Sequence, residues 1–234
     1  MFTPRLIKPL AIGAVVVVIA AGGYGIVSAT SSNGSAGAST GQAPPAGFTA
    51  KAGSNARSGP AAGGVVGTVS SVSTSSFTVS TSAGQKVTVK KASSTTYRKG
   101  TSSTSASAVT QGKPVLVLGT ANGTTITATQ VVVQPASGGS TAYTPSKVVL
   151  FQRGAQGVSK QDGQIPANYS EGSGTIVSGA VANKATTSAL AAYPGGVVDR
   201  VVKLSNGEYE VHNIGVSWPH HIFVNRSFKV VGAN

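Results

Sequence analysis

The chain has 234 residues and no cysteine, which excludes a disulfide framework, a thiol nucleophile and any cysteine–zinc site. Only 10% of it is charged and 6% aromatic, while glycine alone contributes 31 residues, a balance that favours short strands and turns over long helices. The net charge of +13 is uneven: residues 1–161 carry thirteen Lys/Arg and no acid, whereas residues 162–234 carry five of each sign, so the first part suits either a polyanionic partner or a plain solubilising surface.

The segment "MFTPRLIKPLAIGAVVVVIAAGGYGIVSATSS" opens with Arg5 and Lys8, and no further charge occurs until Lys51. Residues 9–29 form an apolar run that, as a helix rising 1.5 Å per residue, spans about 31 Å, the hydrocarbon thickness of a bilayer. The cationic flank predicts a cytoplasmic N-terminus and an exported remainder. Two fates fit residues 1–29. One is a retained single-pass anchor, which the length of the run favours over the roughly 7–15-residue core of a secretory signal; the other is a signal peptide cleaved near Ala29. Residues 30–62 are low-complexity Ser/Gly/Ala/Pro that cannot bury enough apolar area to offset ordering, and read as a flexible tether.

Between residues 64 and 134 the period becomes two. "GGVVGTVSSV", "SSFTVST" and "GQKVTVKK" are short β-runs, with Phe77, Val79, Val87 and Val89 facing inward and Lys86, Thr88 and Lys90 outward. "ASAVTQGK" is a turn or short helix, and "PVLVLGT" and "TTITATQVVVQP" pair across the hairpin signal Asn122-Gly123. Five strands, with a connection between the third and fourth, have the element order of a small OB-type barrel. The stretch "GTVSSVSTSSFTVST…VLVLGTANGTTITATQVVV" resembles an uncharacterised family of small exported bacterial OB-like β-domains. Barrels of this type often bind oligonucleotides or oligosaccharides. Lys86, Lys90, Lys91, Arg98 and Lys99 form a candidate polyanion-binding strip, for an anionic envelope polymer or lipid headgroups, or else a solubilising surface. Nucleic acid is not expected, because stacking platforms are missing: Phe77 points inward and only Tyr97 remains.

Residues 135–174 read as a connector with one apolar run, Val148–Phe151, which either adds a strand to a neighbouring sheet or packs as coil. In residues 175–234, Ser178 is a candidate N-cap. Val181, Ala185, Ala189 and Ala192 fall on one helical face, and Pro194-Gly195 ends the helix. "VVDRVVKL", "EYEVHNIGV", "HHIFVN" and "SFKVVG" then give an antiparallel meander, completing a mostly β chain with an α+β C-terminal part. On Ala189, Ala192, Pro194, Gly195, Val198, Tyr209, Glu210, Val211 and Val224 this part resembles a PepSY domain, a module of peptidase propeptides and envelope proteins. The resemblance implies regulation or inhibition of a secreted peptidase in trans. Trp218-Pro219 and Asn225 depart from its usual acidic turn.

Trp218, His220 and His221 are the candidate partner-binding residues of the final module, with Trp218 either a turn cap over apolar surface or an exposed aromatic anchor. Adjacent histidines in a strand point to opposite faces, and a hairpin centred near Trp218 places His212 four residues, about 13 Å, from whichever histidine shares its face. No metal site or cofactor is therefore expected. No catalytic residues are expected either, since no Gly-x-Ser-x-Gly elbow, phosphate loop or dinucleotide fingerprint occurs. The sequence thus predicts a non-enzymatic, membrane-tethered envelope protein with a binding or structural role.

Overall fold

The computed structural model describes residues 59–135 and 143–234. The apolar 9–29 stretch and most of the tether lie outside the described residues; among those described, no helix is long and apolar enough to cross a membrane.

Six strands build the first half: β1 (Ala61–Val72), β2 (Ser76–Ser80), β3 (Lys86–Lys99), β4 (Ser102–Thr104), β5 (Pro114–Asn122) and β6 (Thr125–Val133). The order β1-β2-β3-β6-β5 closes back on β1, giving a closed five-stranded barrel of OB-like connectivity, with β4 appended to β3. The β3–β6 pair is parallel and its barrel neighbours antiparallel. Period-two alternation drives closure. Phe77, Val79, Val87 and Val89 are buried together with Val65, Val117 and Ile126, each contributing about 1.5–3 kcal/mol when fully withdrawn from water. The β5–β6 hairpin pairs Asn122 with Thr125, so its two-residue loop is Gly123-Thr124, with Gly123 at φ 55. In β3, three more residues than in β6 lie between Lys91 and Thr96. Thr95 closes this bulge: its Oγ1 accepts from Ala92 N at 2.8 Å and donates to Ala128 O at 2.7 Å.

The barrel is hydrogen-bonded to the C-terminal half through β1. On the edge of β1 that faces β2, its earlier residues Gly64 and Val65 pair with Val198 and Val197 of β10 (Val197–Lys203). From there the same sheet runs through β11 (Tyr209–Ile214), β13 (His221–Val224), β14 (Val230–Ala233) and β8 (Asp162–Gly163), with β9 (Thr175–Ile176) on β10. The connector thus supplies the edge strand β8. It also supplies β7 (Val149–Leu150), which pairs with β12 (Val216–Trp218) in a small separate sheet.

Helix α1 (Gly179–Ala192) covers one face of the second sheet through Ala182, Ala185, Thr186, Ala189 and Leu190. This corrects the expected stripe: Ala185 and Ala189 are buried, but Val181 is exposed and Ala192 only half-buried. The buried stripe is completed by positions 182, 186 and 190, each one residue on from the expected 181, 185 and 189, and the small side chains let the helix lie close to β1 and β10. Ser178 stands at the N-cap but makes no side-chain capping bond. The helix stops at Tyr193, whose N–H donates to Ala189 O at 2.8 Å, and Pro194 cannot continue it. Beneath α1 lie Trp218, Val211, Ile222 and Tyr209.

Candidate functional site

The opposite face of the second sheet carries the polar side chains. Antiparallel pairing places His212 of β11 directly across from His221 of β13, and Arg200 of β10 across from His212. Glu210 lies two residues from His212 on the same face. Between Val198 and Arg200 the register slips, so Asp199 is an inserted bulge residue; this is how Asp199 bonds His212 while its neighbour Arg200 is the cross-strand partner of the same histidine. A segment of the connector covers this face, with the Tyr169 ring 4.8 Å from Phe223 and 5.6 Å from His221.

The expected spread of the histidines is overturned by this register. His212, His220 and His221 meet, with ring centroids 4.4, 5.4 and 5.1 Å apart, and one ring nitrogen from each lies within 4.8 Å of the others. The reason is the path of residues 215–220. Gly215, at φ 80, turns the chain out of the sheet, and Val216–Trp218 pairs with β7 instead of β11. The cis Trp218-Pro219 bond returns it, and β13 begins only at His221. His220 is therefore outside the strand and escapes strand alternation. Asn213 fixes the return through its N–H to His220 O at 2.8 Å and its side-chain amide to Pro219 O at 3.0 Å.

The outer nitrogens of two rings are tied to oxygen. Asp199 Oδ1 lies 2.6 Å from His212 Nδ1, and since a carboxylate only accepts, Nδ1 carries a proton and donates it to this bond. Asn234 Oδ1 lies 3.1 Å from His221 Nδ1. His221 Nε2 is buried without a hydrogen-bond partner, as is Glu210 Oε1, 3.5 Å away. Burial, then the neighbouring His212 and His220, push His221 down to about 4. Desolvation, then His212, likewise lowers His220. Burial raises Glu210 against the opposing pull of Arg200 and His212. A cleft of about 320 Å³ opens this cluster to solvent between His212, His220, Asp199, Arg200 and Glu171. A larger cavity of about 840 Å³, between the start of α1 and the barrel, is lined by no titratable side chain among the described residues.

The remaining candidates are scattered differently. Trp218 is fully buried, which rules out an exposed aromatic anchor at that ring. Its Nε1 donates to Lys160 O at 2.7 Å, the Lys160 ammonium sits 3.9 Å above the ring, and Tyr193 meets it edge-on at 5.6 Å. Lys86, Lys90, Lys91, Arg98 and Lys99 all fall on β3, divided into two groups by the Thr95 bulge. Lys86, Lys90 and Lys99 are exposed, and Lys91 and Arg98 half-buried. Lys86 Nζ reaches Ser80 Oγ at 2.9 Å, Lys91 Nζ reaches Ser73 O at 2.6 Å, and Arg98 donates to Thr101 O. No family model, curated protein or solved structure matches this chain, so neither family resemblance has a relative behind it.

Proposed function

We propose that this protein is a non-enzymatic, exported envelope protein, tethered through residues 9–29, whose barrel docks on an anionic polymer outside the cell membrane. The observation that supports this reading is the lysine-bearing strand β3 on a barrel without acids. Residues 59–161 contain nine Lys/Arg and no Asp or Glu, so the strip has no intramolecular counter-ion on its own barrel. Exposed cations gain little from isolated pairs, about 0.2–1 kcal/mol each, but a row of them facing a phosphate polymer acts collectively and is weakened by salt. The test uses the full chain in detergent micelles, titrated with a soluble polyglycerol phosphate and, in parallel, with anionic lipid vesicles. Polymer binding that falls steeply with salt, and falls about tenfold or more in the Lys86→Glu/Lys90→Glu variant, is expected. Salt-insensitive binding, or none, overturns it. Binding to vesicles alone moves the partner to lipid headgroups.

A second reading, regulation of a secreted peptidase in trans, is favoured by one feature: a single helix followed by antiparallel strands, the arrangement that the PepSY resemblance implies. Inhibition of secreted peptidase activity by the full chain supports it, and unchanged activity removes it.

A further inference from the structure

We propose that His212, His220 and His221 together bind one divalent transition-metal ion of the zinc class, each through one imidazole nitrogen, with a fourth position open to the cleft. This site is independent of the lysine strip and lies beyond β10, outside the barrel. Four observations carry it.

The first is convergence. Three nitrogens within 4.8 Å of one another need only a modest contraction to reach the roughly 3.3 Å separations that a tetrahedral ion with bonds of about 2.0–2.1 Å imposes. His220, exposed and outside the strand, is the ring free to make that movement. The second is orientation. His212 offers its outer nitrogen to the Asp199 carboxylate and His221 its own to the Asn234 side-chain oxygen. Ligating histidines are held in this way, the outer bond fixing the tautomer that presents a lone pair inward. The third is an unmet need: His221 Nε2 is buried with no hydrogen-bond partner. The fourth is charge. The whole chain has only five acids, and three of them, Asp199, Glu210 and Glu171, surround the imidazoles or line their cleft, against the one cation Arg200. That balance favours a divalent cation, and imidazoles without thiolate or thioether select zinc, nickel or copper(II) over soft copper(I).

The competing account is a closed polar network in which His221 Nε2–H donates weakly to Glu210 across 3.5 Å. The two differ in what they do with zinc. The full chain, in detergent micelles and stripped with chelator, is titrated with Zn²⁺ by calorimetry. One ion per chain with sub-micromolar affinity is expected. His220→Ala, at an exposed position, should weaken binding at least about 100-fold, and Asp199→Ala, which removes an outer-shell partner, about 10- to 100-fold. X-ray absorption on the zinc-loaded wild type gives a readout that needs no variant: three imidazole nitrogens at about 2.0 Å are expected. No binding at micromolar Zn²⁺, equal affinity in His220→Ala, or fewer than three imidazoles around the ion overturns the proposal.

Discussion

Gly63→Ala probes the strand that joins the barrel to the helix-bearing sheet. Gly63 lies in β1 where that strand is flanked by β5 on one side and β10 on the other. A methyl group there would stand 2.8 Å from the Val198 carbonyl carbon, and closer still to its oxygen, with Ala121 Cβ at 3.3 Å on the other side. Ordinary contact begins at about 3.4 Å, so the carbon contact alone requires β10 to retreat by about 0.6 Å, and the nearer oxygen requires more. Because the obstacle is backbone, no rotamer change relieves it. Overpacking of this kind costs about 1–3 kcal/mol, and for a folded unit of this size each kcal/mol lowers Tm by roughly 2–4 °C, so a drop of about 2–12 °C is expected. Gly157→Ala is the control, since nothing lies within 4 Å of that position and its φ is not positive. Circular dichroism gives the global transition, and the single tryptophan, Trp218, reports on the second sheet alone. If Gly63→Ala melts within a degree of wild type while Gly157→Ala does the same, the close junction between β1 and β10 is wrong.

Two further outcomes concern buried polar groups. Thr95→Val strips the β3 bulge of its buried side-chain bridge and leaves the Ala92 N–H and Ala128 carbonyl to find other partners; a loss of about 1–3 kcal/mol, read as a lower urea midpoint at unchanged m-value, is expected. Tyr169 and Tyr193 are both raised above the usual phenol value, first by burial and then by carboxylates: Glu210 and Glu171 for Tyr169, and Asp162, which accepts from Tyr193 Oη at 2.8 Å. The folded state therefore holds these protons more tightly than the unfolded chain, so their contribution is complete below about pH 10 and is lost as pH rises beyond it. Near-ultraviolet titration should show these two phenols ionising only as the protein unfolds. A single tyrosine midpoint near 10 in folded protein would contradict their burial.

The barrel was legible because alternation is a local signal. Phe77, Val79, Val87 and Val89 point inward simply by parity. The end of α1 was legible because Pro194 forbids continuation. The helix face is one residue off at its start, since with so many alanines the apolar periodicity barely distinguishes Val181 from Ala182. The histidine cluster was misread for a different reason. Counting along a hairpin centred near Trp218 assumes that the strand entering the turn pairs with the strand leaving it. Here Val216–Trp218 pairs with Val149 and Leu150, far away in sequence, and the register of β11 on β13 is set by that excursion. Gly215 and Pro219 bracketing a Val-Ser-Trp triplet were the available signal. The tie to Val149–Leu150 was not, because a two-residue strand has no periodicity to read.

The same long-range ties join segments that composition sets apart. The breaks near residues 135 and 175 are changes in residue type, yet the described residues from 59 to 234 belong to one compact unit. Residues 175–234 alone would lose the β1 edge from β10, the β7 partner of β12, the β8 partner of β14, and the Lys160 contacts to Trp218. They would also lose Ile165 and Tyr169, which pack against Val202, Leu204 and Phe223 on the histidine-bearing face. A sheet stripped of its edge partners exposes unpaired backbone, and one stripped of its cover exposes apolar side chains. The imidazoles themselves belong to β11, β13 and the bend between β12 and β13, but the environment that orients them does not. Asp199 comes from the bulge in β10, whose other edge is held by β1 of the barrel, and Tyr169 and Glu171 come from the connector. The chemistry of the histidine face is therefore a property of the whole folded unit, and the barrel contributes to it as a structural support even where it supplies no ligand.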